Sequence, residues 1–171
     1  MTSLFTAVEY NRTSDGSPLT LDTFIDNFHN YMIDVEDYGY NLLETAVLHN
    51  RPDIARFLLN LDGWDINRRD SDGQTILQYI SMSDCFDLDV ALMLLDYGHV
   101  NTDIVDRWGN NPLWTSAHSV YLARVTLEQR NQYHKWFVAL LDVGFRPNER
   151  TIEYVKSMKD DSVSWIHELI A

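Results

Sequence analysis

One cysteine, Cys85, stands in a chain of 171 residues. A lone thiol closes no intrachain disulfide and builds no thiolate zinc site. No cation sits near Cys85 in sequence to depress its pKa, which argues against a nucleophile. No run of 18 apolar residues occurs, so no membrane-spanning helix is expected. The opening stretch MTSLFTAVEYNRTSDG has neither a basic start nor a long apolar segment. No secretory signal is therefore expected, and a reducing cytoplasm fits. The NRT sequon at Asn11 has no role without secretion. Phosphate-binding, dinucleotide-binding and nucleophile-elbow motifs are all missing. The histidines at 29, 49, 99, 118, 134 and 167 form no H-E-x-x-H. His118 and His134 could converge on a metal, but turn and surface roles explain them more simply. Asp70, Asp72 and Gly73 echo the start of a calcium loop, yet position 81 is Ser where the closing Glu is required. They read instead as turn residues. Acids are plentiful enough for some to pair in space, but without a pocket that does not argue for glycosidase chemistry. No catalytic residue, cofactor or metal is expected, and the chain does not read as an enzyme.

Bases are scarce: 13 Lys and Arg stand against 26 Asp and Glu, for a net charge of −13. The imbalance is segregated. Residues 1–106 hold 19 acids and 5 bases (net −14), and residues 107–171 hold 7 acids and 8 bases (net +1). From Asp70 to Asp106 there are eight aspartates and no Lys or Arg. Such a field repels nucleic acid and acidic membranes and attracts basic surfaces. Solubility alone is the plainer explanation of the total, though less so of its segregation. What is abundant is apolar residues, at 45% with 12% aromatic, enough for one domain or one short array with a core.

Three stretches share an order. EDYGYNLLETAV starts at Glu36, DSDGQTILQYIS at Asp70 and DRWGNNPLWTSA at Asp106. Each runs acid, two variable residues, Gly, one variable residue, Asn or Thr, an apolar residue or Pro, then Leu. The glycines, Gly39, Gly73 and Gly109, are spaced by 34 and 36. Each block is followed by Leu-Leu, then a glycine, then Asn: IARFLLNLDGWDIN ending at Asn67, VALMLLDYGHVN at Asn101 and WFVALLDVGFRPN at Asn148.

This order resembles the ankyrin repeat, with a period near 33 residues and a T-P-L-H-x-A signature. Asn111-Pro112-Leu113 matches the first motif best, with Thr75-Ile76-Leu77 and Asn41-Leu42-Leu43 looser. The family's His is replaced by Glu44, Gln78 and Trp114. Each element has a physical reason. Gly allows positive φ in the turn. Asn or Thr caps the coming helix, and Pro suits its first turn. Leu-Leu buries against the first helix and the next unit, and the second glycine ends the helix. A single unit cannot bury its own apolar face, so units stack.

The resemblance implies an all-α fold: a short ankyrin-like solenoid of about three helix-turn-helix repeats with helical caps. The expected division of 1–171 is an N-terminal helical cap (1–35), repeats at 36–69, 70–105 and 106–148, and a C-terminal helical cap (149–171). The cap at each end should be a helix pair. Asp84 and Asp87 should cap a helix. The third repeat carries an insertion at about 118–135. TLEQ at Thr126 reads as a capping box opening a long helix from about Leu127 to Asp142. The segment HSVYLARVT before it should jut out as a loop and offer a recognition element.

With no reactive cluster, the functional expectation is a surface. The resemblance implies that partners meet the turn tips and the exposed face of the first helices. The variable slots there are Asp37, Tyr38, Tyr40, Leu48 and His49, then Ser71, Asp72, Gln74, Met82 and Ser83, then Arg107, Trp108, Asn110, His118 and Ser119. Of these, Tyr38, Tyr40, His49, Asp72, Gln74, Met82, Arg107, Trp108, Asn110 and His118 are the candidate partner-binding residues. Aromatics, Met and Arg are enriched at interface centres. The expected partner is another protein with a basic surface, such as a toxin or nuclease, masked by a chain that is monomeric on its own and binds neither nucleic acid nor membrane directly. An immunity or antitoxin role follows. An adaptor or host-directed interaction protein, and an acidic nucleic-acid mimic that blocks a DNA-binding protein, are the alternatives.

Overall fold

A computed structural model describes residues 3–29, 36–37, 39–82, 86–122, 125–159 and 164–170. The described residues form ten α-helices and one two-stranded ribbon, and the fold is all-α. Contacts divide the chain into two compact units, Met1–Asp65 and Ile66–Ala171. No helix among the described residues is long and apolar enough to cross a membrane.

In the first unit, α1 (Leu4–Tyr10) starts where the Ser3 hydroxyl accepts the Thr6 N–H, and α2 (Leu21–Asn27) where Thr20 accepts Thr23 N–H. The ribbon pairs β1 (Glu36–Asp37) with β2 (Tyr40–Asn41), with Asp37 opposite Tyr40. It feeds directly into α3 (Leu42–Leu48), which is opened by a reciprocal box. Asn41 Oδ1 accepts Glu44 N–H while the Glu44 carboxylate accepts Asn41 N–H, both at 2.8 Å. Pro52 opens α4 (Pro52–Leu59), where its missing N–H leaves no bond unmade. α1 packs on α3, α3 on α4 and α2 on α4. Phe24, Leu42, Leu43, Ile54 and Leu58 are fully buried between them, and Phe24, Phe28 and Phe57 meet at centroid distances of 5.7–6.0 Å.

A buried arginine ties this unit together. Arg51 donates to both Asp53 carboxylate oxygens (3.1 and 2.8 Å), to Asn11 Oδ1 at the end of α1 (2.9 Å) and to the Leu19 carbonyl before α2 (3.2 Å). Burial alone would raise the Asp53 carboxyl, but the Arg51 hydrogen bond, the Ile54 N–H and the Arg51 charge outweigh it and hold its pKa below the usual value. Arg51→Ala is expected to cost about 2–3 kcal/mol, because it removes all of these bonds at once. Urea unfolding checks this. Arg51→Lys should recover less than half, since an ammonium cannot reproduce the two-pronged grip on Asp53.

The second unit repeats one pattern. α5 (Ile76–Met82), α7 (Pro112–Leu122) and α9 (Glu149–Ser157) form one layer, and α6 (Leu88–Asp96), α8 (Leu127–Asp142) and α10 (Ser164–Ile170) the other. Small residues let α5 and α7 approach closely: Ser81, Ser116 and Ala117 are buried, and the two serine hydroxyls lie 3.2 Å apart. Asp87 caps α6 as expected, accepting Val90 N–H at 2.9 Å, while Asp84 lies outside the described residues. α8 starts and stops where the sequence predicts, with Thr126 and Gln129 forming the reciprocal box.

Two expectations need correction. The segment from His118, expected as a protruding loop, is helical as far as Leu122, and its residues 123 and 124 lie outside the described residues. Residues 118–122 continue α7, because Leu113, Ala117 and Val120 keep one helical face buried. Much of the extra length of the third repeat therefore lies in the helices α7 and α8. Gly98 has no positive φ, unlike Gly63 and Gly144, so α6 ends without a left-handed glycine.

Candidate protein-binding face

The acid-x-x-Gly order is the wiring of a turn. Asp70 Oδ1 accepts the N–H groups of Asp72 and Gln74, both at 2.8 Å. Asp106 Oδ1 accepts those of Trp108 (2.9 Å) and Asn110 (2.8 Å). In each turn the glycine N–H returns to the aspartate carbonyl at 3.0 Å. A side chain at Gly73 would be strained: its φ is +79°, and a Cβ would lie 2.5 Å from the end of the Arg69 side chain, which would have to move.

Successive turns are bonded to each other. Arg107 N–H donates to the Asp72 carbonyl (2.8 Å), and Arg69 to the Val105 carbonyl (2.7 Å). Gln78, one turn into α5, donates its side-chain amide to Asp106 Oδ2 and the Asn110 carbonyl, both at 3.3 Å. From the far side, Asn148 donates to the Gly109 carbonyl (2.9 Å) and Arg150 Nε to Asn110 Oδ1 (2.6 Å). The 106–110 turn is thus held from α5, from the preceding turn and from α9.

On this frame stands Trp108, 45% exposed. The Arg107 guanidinium lies over its ring at 4.3 Å and bridges to Asp72 at 2.7 Å. The candidates Asp72, Arg107 and Trp108 therefore meet at one tip. Asn110 lies beneath them, 6% exposed, with its side chain committed to Asp106 and Arg150. It holds the turn and has little surface to offer a partner. Gln74 is half-buried in the preceding turn, and Met82 is exposed at the other end of α5. Tyr40 and His49 belong to the first unit, where they line a shallow concavity of about 180 Å³ with Phe5, Glu9 and Asp37. Tyr38 lies outside the described residues.

Residues 25–80 match the family model described as ankyrin repeats (many copies). This stretch carries ankyrin repeats. No curated protein matches it. Ankyrin repeats are protein–protein interaction modules, so the function of the chain is to be sought on a surface of this kind.

The second unit also brings together residues that the repeat pattern alone does not single out. Trp114, in the slot of the family's His, stacks on His118 at 4.7 Å and 16°. Tyr154 of α9 packs 5.0 Å from Trp114 and shares a 2.8 Å hydrogen bond with His118 Nδ1. Tyr121 meets Tyr154 edge-on. These rings form a shelf across α7 and α9, with Arg150 5.8 Å from Trp114 at its rim. The i, i+4 and i+7 spacing of Trp114, His118 and Tyr121 is visible in the sequence. Its continuation onto α9 depends on how the two helices pack.

Of the aspartate run, Asp89, Asp96 and Asp103 are exposed, whereas four other members are engaged within the chain. Asp70, Asp87 and Asp106 accept backbone N–H groups, and Asp72 is paired with Arg107. His118 and His134 do not converge: His118 meets Trp114 and Tyr154, and His134 packs on Trp165. An open depression of about 670 Å³ lies between α1, α2 and the loop joining them, but Asp15 is its one ionisable lining group among the described residues.

Partial burial on the shelf lowers the His118 pKa and raises that of Tyr154, which Tyr121 pushes further up. The folded chain therefore holds the His118 proton less tightly than the unfolded chain does. The contribution to stability is intact above the ordinary value of about 6.5 and is lost as pH falls from there through the lowered folded value. The unfolding midpoint should drop between about pH 7 and pH 5, and His118→Gln should remove that part of the drop. An unchanged profile in the variant would exclude His118 as its source.

Proposed function

We propose that this chain is a non-catalytic binding module that masks or inhibits a partner protein in the cytoplasm through the tip and shelf of its second unit. The observation that carries this reading is Trp108: a large exposed ring on a turn whose backbone is fixed by the buried Asp106. An anchor already held in place loses little conformational entropy on binding. Arg107 and Asp72 complete a tip rich in the residue types found at interface centres. Tyr40 and His49 would offer a second, separate contact from the first unit.

A basic partner, as in an immunity or antitoxin role, is supported by the net charge of −13, which would steer a cationic protein toward the chain. An adaptor with a neutral target draws support from the inward use of Asp70, Asp87 and Asp106, which leaves fewer carboxylates to steer with. The same inward use weakens nucleic-acid mimicry, which needs a line of outward acids. A photo-crosslinking residue at position 108, with Leu92 on α6 as the control site, tests the proposal. The expected result is a protein adduct from position 108 and none from position 92. The association rate with that protein should fall by about tenfold or more between low and physiological salt if the partner is basic. A salt-independent rate identifies the adaptor, and equal labelling from both sites contradicts the reading.

A further inference from the structure

We propose that the shelf of Trp114, His118, Tyr121 and Tyr154, with Arg150 at its rim, receives a partner segment that carries one carboxylate beside an aromatic or apolar side chain. This rests on the binding-module reading and names the chemistry that the module recognises.

The argument starts from Arg150. It is exposed, and its Nε is fixed by the buried Asn110 at 2.6 Å. Among the described residues, no carboxylate pairs with it. Arg107, the neighbouring cation, is already bridged to Asp72. A guanidinium held by one nitrogen keeps its two terminal nitrogens for a planar acceptor, and a carboxylate fits that fork with two parallel bonds. The rings alongside supply a flat, half-buried surface on which a neighbouring side chain stacks, with centroid distances of 4.7–5.3 Å already set within the cluster.

The local charge agrees in sign and in size. Residues 107–171 sum to +1, in contrast to −14 over residues 1–106. At physiological salt the screening length is about 8 Å, so the groups beside the shelf govern the contact. Glu149 and Glu153 are exposed on the same helix as Arg150, which limits the site to one carboxylate rather than an acidic tract. A phosphodiester chain would bring repeated charge against the total of −13. A single carboxylate in a protein segment does not.

A random heptapeptide library displayed against the full chain, with Arg150→Gln as the counter-target, tests this. Selected peptides should carry Asp or Glu next to an aromatic or apolar residue. A synthetic copy of one should shift the Trp114 indole signal in NMR and bind Arg150→Gln at least about tenfold more weakly. An unmoved Trp108 indole signal in the variant certifies that the 106–110 turn survives the substitution, and Arg150→Lys, which keeps the charge without the fork, should recover only part of the affinity. Selection of Lys- or Arg-rich peptides, of peptides without acids, or of peptides that bind Arg150→Gln equally well overturns the assignment. If that happens while the crosslink from position 108 persists, the binding module stands and only the shelf's ligand is wrong. Loss of the crosslink as well removes both.

Discussion

Trp136→Ala is expected to lower the unfolding free energy by about 3–5 kcal/mol. Trp136 is fully buried on α8 and donates its indole N–H to Ser81 Oγ at 2.9 Å. Ser81 in turn donates to the Leu77 carbonyl, and its own carbonyl accepts the Tyr133 hydroxyl. Phe86 stacks on Tyr133 at 4.5 Å and lies against Trp136. Alanine would leave a cavity where α5 and α8 meet, and would remove the Ser81 hydroxyl's indole donor. Trp136→Phe separates the two contributions: it keeps most of the volume, loses the donor, and should cost about half as much or less. Urea unfolding followed by near-ultraviolet circular dichroism measures both. A loss under about 1 kcal/mol for alanine would mean that the core closes over the gap.

Asp106→Ala should come next, at about 3–4 kcal/mol. One buried carboxylate accepts from Trp108 N–H, Asn110 N–H, the Asn110 side chain and the Gln78 side chain. Removing it orphans buried donors on two elements, and water cannot easily reach them. Asp106→Asn keeps one acceptor oxygen but turns a donor toward other donors, so it should recover only part of the loss. The effect should extend to function. With the turn loosened, Trp108 loses its fixed pose and partner affinity should fall, although Asp106 itself is almost wholly covered. Asp70→Ala should cost less, since Asp70 is only half-buried and holds one turn without the Gln78 and Asn110 side-chain bonds.

The sequence was most legible where structure is local. The Thr126–Gln129 box, the ends of α8, the Asp87 cap and the positive φ of Gly39, Gly73 and Gly109 are each decided within a few residues. Legibility failed where the answer depends on a partner far along the chain. Residues 118–122 look like loop because they interrupt a repeat, yet Val120 buries and prolongs the helix. Asn110 occupies an exposed slot of the repeat but turns inward, because Arg150 and Asp106 are there to receive it. The sequence also does not show that three members of the aspartate run, at 70, 87 and 106, serve as backbone acceptors. The shelf is hidden in the sequence for the same reason: Trp114 and Tyr154 are forty residues apart and meet only once α7 packs on α9.

The proposed function assigns binding to exposed tips on a rigid frame, and Trp108 is where that proposal is most directly tested. Trp108→Ala should be measured twice, for unfolding and for affinity toward the protein captured from position 108. The prediction is a stability change within about 0.5 kcal/mol and an affinity loss of about thirtyfold or more. A destabilised chain, or a stable one that binds its partner undiminished, would contradict it.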